Sequence, residues 1–91
     1  MSRPEMAYRA IILAIHSRRH DAFAVYDLVK ISNVKRASVT RVLTRLAILN
    51  LVMRVPGGFN SRYWKITARW PHKNCLEAIE EYETWRVINR R

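Results

Sequence analysis

The apolar residues of this chain change their spacing at Leu51, and that change constrains the fold more than any other feature. Before it they recur every three or four positions: Tyr8, Ile11, Ile12 and Ile15, then Val25, Leu28 and Val29, then Val39, Val42, Leu43 and Leu46. Such spacing puts them on one face of a helix. From Leu51 the period falls to two, in "LVMRV" and "RYWKIT", with the Gly-containing "PGGFNS" between them; this is the pattern of a hairpin. The helical period returns in "NCLEAIEEYETWRVIN". At 91 residues the chain has length for one small core. The fold class expected is mainly α with a small β-hairpin: a three-helix core, a wing-like hairpin and a C-terminal helix. Residues 1–70 form the main unit and 71–91 the appended helix.

Local chemistry sets the expected boundaries. Ser2 and Glu5 have capping-box spacing, and Pro4 sits in a first turn, where its missing N–H costs nothing. That helix runs to about Ser17, followed by a turn at His20-Asp21 and a short extended piece at Phe23. A second helix covers "VYDLVKI", and "SNV" breaks it, with Asn33 able to take the left-handed conformation of a tight turn. The third helix spans residues 35–49, with Asn50 as a left-handed C-cap. Pro71 suits the approach to the last helix.

Charge separates the function classes. Residues 1–73 hold 14 basic and 3 acidic side chains, net +11, whereas residues 74–91 are net −1. No acid lies between Asp27 and Glu77, yet the third helix and its turn carry Lys35, Arg36, Arg41 and Arg45. A face that only meets water normally mixes both signs. An acid-free basic face is suited to a polyanion, and the short Ala37, Ser38, Thr40 and Thr44 between the arginines permit close approach. Arg can grip guanine bidentately, while Ser and Thr reach phosphates or bases. In the hairpin, Arg54, Asn60, Ser61, Arg62 and Lys65 suit phosphate or minor-groove contact. Trp64, alternating with Ile66, is expected in the core.

These residues resemble the winged helix-turn-helix family over roughly residues 5 to 68. "LVKISNVKRASVTRVL" has the helix-turn-helix spacing, with Leu28, Val34, Val39 and Leu43 at the buried positions and Asn33 where the family usually has Gly. "LTRLAILNLVMRV" is similar to the family's exit from its recognition helix, and "YWKIT" resembles its closing strand. Lys35 stands where a Ser or Thr often caps that helix, and Phe59 is apolar for a wing tip. The resemblance implies sequence-specific binding of double-stranded DNA by a small prokaryotic or phage-type transcriptional regulator. Helix 35–49 would enter the major groove and wing 51–67 would flank it. It also implies a dimerisation role for the terminal helix, through Leu76, Ile79, Tyr82, Trp85 and Ile88. Two alternatives are a module recruiting an acidic protein and a Z-alpha-like binder of left-handed duplexes. For the latter, Thr40 and Thr44 stand where that family has Asn and Tyr.

Other classes find little support. His16, His20 and His72 are scattered, Asp21 and Asp27 lack the spacing of a carboxylate pair on one helical face, and the Glu cluster of the last helix has no His or Asp partner. No enzyme, metal site, cofactor or small-molecule ligand is expected. No apolar run approaches the roughly 20 residues of a membrane span. The single cysteine, Cys75, excludes an internal disulfide and suits a reducing cytoplasm.

Overall fold

The computed structural model describes residues 4–56 and 62–89. Helix α1 spans Pro4–Ser17, strand β1 Phe23–Ala24, helix α2 Val25–Ser32 and helix α3 Arg36–Ile48. Strands β2 (Val52–Arg54) and β3 (Tyr63–Ile66) follow, then helix α4 (Leu76–Ile88). The result is a small domain of four helices and a three-stranded antiparallel sheet ordered β1-β3-β2. Ser2 of the expected capping pair, and Gly57, Gly58, Phe59, Asn60 and Ser61 of the hairpin loop, lie outside the described residues.

Two asparagines set the turns that follow α2 and α3. Asn33 (φ 58°, ψ 35°) ends α2 in the left-handed region, its N–H donating to the Val29 carbonyl at 2.8 Å. Ser32 secures the same turn, its hydroxyl donating to the Leu28 carbonyl and accepting from the Val34 N–H. Asn50 (φ 63°) follows the C-cap Leu49 of α3. The Leu51 N–H donates to the Leu46 carbonyl and the Asn50 N–H to the Ala47 carbonyl, the paired bonds of a Schellman motif. Leu46 and Leu51, the residues such a motif brings together, are both fully buried.

The sheet seats the core's aromatic residues. Trp64 of β3 lies opposite Phe23 of β1 and Arg54 of β2, and alternation turns Trp64 inward and Lys65 outward beside Met53. One hydrophobic cluster unites Ile11, Ile12 and Ile15 of α1 with Phe23, Leu28, Val39, Leu43, Leu46 and Val52. It also contains Trp70, Cys75, Ala78, Ile79 and Tyr82, so α4 and the turn before it share the core of residues 1–70.

This placement corrects the expected dimer stripe. Ile79 and Tyr82 are buried within their own chain, Trp85 is half-buried, and Leu76 and Ile88 are exposed. Of Cys75 and Leu76, either of which could begin the apolar stripe by spacing, it is Cys75 that faces inward, followed by Ala78. The cause is that α1 lies alongside α4. Tyr82 stacks on Tyr8 at 4.9 Å between ring centroids, and the Tyr8 hydroxyl and Arg9 both donate to Glu83. Trp70 was not expected in the core, yet it is 2% exposed. Its indole N–H donates to His16 Nδ1 at 3.0 Å.

Candidate nucleic-acid interface

The outward face of α3 follows from its burial pattern. Val39, Val42, Leu43 and Leu46 are buried, which leaves Arg36, Ala37, Thr40, Arg41, Thr44 and Ile48 exposed. No acidic residue lies on the helix. The N-cap Lys35 offers no side-chain acceptor to the first turn. That leaves the positive end of the helix dipole without an anion, beside two cationic side chains. The Thr44 hydroxyl is occupied, donating to the Thr40 carbonyl at 2.9 Å.

Ion pairing is divided between two sides of the molecule. Arg9 pairs with Glu83 at 2.7 Å and Arg69 with Glu81 at 2.8 Å, so acids of α4 neutralise cations of α1 and of the turn after β3. The side chains of Arg36, Arg41, Arg62 and Lys65 make no hydrogen bond or ion pair among the described residues. The Glu83 carboxyl is held below its ordinary value of 4.5 by hydrogen bonds from Tyr8 and Arg9, opposed by slight desolvation. Burial, together with the charges of Arg19, His72 and His20, holds His16 below its ordinary 6.5. That suits its role as acceptor from Trp70.

Two clefts flank α3. On the hairpin side, Arg36 and Thr40 line a cleft of about 490 Å³ with Arg54, Arg62, Tyr63, Tyr26 and Asp27. The Arg54 guanidinium lies 4.7 Å from the centroid of the Trp64 ring, which places it on the inner side of the hairpin. Asp27 is the acid that sequence spacing did not bring to this surface; one carboxylate oxygen accepts from the Ala24 N–H at 2.8 Å. On the opposite side, Ser38, Arg41 and Arg45 line a cleft of about 220 Å³ with Tyr8, Tyr82 and Arg86.

The expected site residues are therefore not all on one surface. Arg36, Thr40, Arg54 and Arg62 come together on the hairpin side, and Ala37, Arg41 and Thr44 face outward between the clefts. Lys35 is exposed at the helix start, whereas Lys65 is exposed on the outer face of the sheet. Ser38 is half-buried in the smaller cleft. Arg45, placed by its helical position on the outer face, turns toward α4 instead. It donates to the Tyr82 hydroxyl at 3.3 Å and lies 5.6 Å from the Trp85 ring centroid. Asn60 and Ser61 lie outside the described residues.

Sequence spacing missed Arg86, Arg69 and Tyr26. Arg69 donates to the Leu49 carbonyl at 2.8 Å and also binds Glu81, tying the end of α3 to α4. No local pattern marks Arg69 or Arg86: the partners of Arg69 are 12 and 20 positions away, and Arg86 lies over the ring of Tyr8, at the other end of the chain. No family model, curated protein or solved structure matches this chain. Among the described residues no group of His, Cys, Asp and Glu could hold a metal ion, and no helix is long and apolar enough to cross a membrane.

Proposed function

We propose that this chain is a winged helix-turn-helix protein that binds double-stranded DNA as a transcriptional regulator in the cytoplasm. Helix α3 enters the major groove, and the β2–β3 hairpin flanks it on the backbone or minor groove. The observation that carries this reading is the division of charge. Arg9 and Arg69 are paired with glutamates of α4, while Arg36, Arg41 and Arg62 make no side-chain ion pair among the described residues; the one acid in the hairpin-side cleft, Asp27, accepts from the Ala24 N–H. An acid-free helix about 10–12 Å across also fits a major groove about 12 Å wide. A two-fold partner reading a palindromic site would use the exposed Leu76, Val87 and Ile88, leaving Ile79 and Tyr82 in the core.

Duplex binding measured by fluorescence anisotropy across a salt series tests the proposal. Five neutralised phosphates give a slope of log K against log salt near −4.5, from roughly −0.9 each. Arg41→Ala is expected to relax sequence preference, costing about 1–3 kcal/mol at one base pair, whereas Arg62→Ala weakens all duplexes alike. A flat salt dependence would overturn the DNA reading and favour recruitment of an acidic protein.

A further inference from the structure

The smaller cleft lies between α1, α3 and α4, on the flank of α3 away from the hairpin, and its lining holds no carboxylate. Arg41 is exposed at its rim, while Arg45 and Arg86 are half-buried inside. Tertiary packing fixes both inner guanidinium groups. Arg45 donates to Tyr82 and faces the Trp85 ring, and Arg86 lies 5.0 Å from the centroid of Tyr8. Stacking on a ring leaves the in-plane N–H donors of a guanidinium available to an anion. Neither Arg45 nor Arg86 has a carboxylate within ion-pair distance among the described residues. The neighbouring acid, Glu83, feels the charge of Arg86, but its hydrogen bonds come from Tyr8 and Arg9 and it does not line the cleft. Ser38 adds a hydroxyl from the first turn of α3.

We propose that this cleft is a phosphate-binding site in which Arg45 and Arg86 grip one phosphate group, with Ser38 and Arg41 at its edge. Resting on the DNA reading above, the phosphate belongs to the duplex backbone. The two clefts lie on opposite flanks of one helix, and two strands wall the groove that such a helix would occupy. The hairpin-side cleft faces one strand and the α1–α3–α4 cleft the other. The C-terminal helix is thereby part of the DNA interface, through Arg86, and sets the depth of α3 in the groove.

The site is tested in the full chain with Arg86→Gln, Arg86→Lys and Ser38→Glu. Ser38→Glu delivers a carboxylate to the cleft from the first turn of α3, where the helix dipole favours an acid, so folding is retained. Thermal unfolding checks all three variants. Arg86→Gln and Ser38→Glu are expected to make the salt slope for duplex binding shallower by about 0.9, one phosphate contact, equally for all sequences. Arg86→Lys keeps the wild-type slope. In a second arm, inorganic phosphate is titrated while the side-chain Nε–H signals of Arg45 and Arg86 are followed by NMR. Movement of those signals in a protein that binds no duplex would support the phosphate site, name free phosphate as its source and refute the DNA reading. Unchanged slopes in both variants, with signals that phosphate does not move, would overturn the site while leaving duplex binding through the hairpin side intact.

Discussion

Replacing Tyr82 with alanine removes the side chain that joins α4 to α1. Tyr82 is 1% exposed, stacks on Tyr8 at 4.9 Å and 28°, and accepts a hydrogen bond from Arg45. Removing a buried aromatic side chain costs about 3–5 kcal/mol, including the transfer and cavity contributions. The stack accounts for about 0.5–1.5 kcal/mol of this and the hydrogen bond for about as much. A domain of this size is stable by roughly 5–15 kcal/mol, so Tyr82→Ala is expected to remove about a fifth of its stability or more. Tyr82→Phe keeps the ring and loses the Arg45 bond, at about 1 kcal/mol. Urea unfolding provides the free energies, and melting at two protein concentrations separates packing within one chain from packing between chains. With an intramolecular stack, the wild-type melting temperature does not depend on concentration by way of Tyr82. A loss below about 1 kcal/mol for Tyr82→Ala would refute the calculation, because the cavity cost alone should exceed it. A concentration-dependent melting temperature that Tyr82→Ala abolishes would place the ring at an interface between copies.

Acid is expected to destabilise the fold in two steps. His16 is held below 6.5, so the unfolded chain takes up its proton first; that contribution is complete above pH 6.5 and is lost as pH falls through the depressed value. Glu83, held below 4.5, adds a second loss as pH falls from 4.5 through its lower value. Stability measured against pH in His16→Gln and Glu83→Gln checks each step, and a variant whose profile matches wild type in its own window would refute the assignment. Replacing Asn33 or Asn50 with glycine is expected to be neutral or mildly stabilising, since glycine has no Cβ to strain in the left-handed region. Alanine at either position should cost on the order of 1–2 kcal/mol, the penalty of that conformation, measurable by chemical unfolding. Arg69→Ala removes the donor to the Leu49 carbonyl and is expected to raise hydrogen exchange at the end of α3 before any change in duplex affinity appears.

Among the described residues, the four helices and the strands β2 and β3 were legible from local spacing. Leu28, Val39, Leu43 and Trp64 could be assigned inward because periods of 3.6 and two decide which side of an element is apolar, and that decision is made within a few residues. The turns were legible for the same reason. Asn33 and Asn50 interrupt helical patterns at the two places where a left-handed residue lets the chain change direction.

What covers each apolar face is decided elsewhere in the chain. The stripe on α4 needed cover, and a second copy would have provided it as well as α1 does; only the approach of Tyr8 to Tyr82 selects α1. Once α4 lies there, its glutamates meet Arg9 and Arg69 instead of the arginines near α3. The same approach draws Arg45 inward and brings Arg86 beside it. The basic character of α3 was thus present in the sequence, while the division of that charge into an open face and a cleft was made by tertiary packing. A long side chain takes its partner from whatever folding brings within reach, and for Arg45 that partner is 37 residues away.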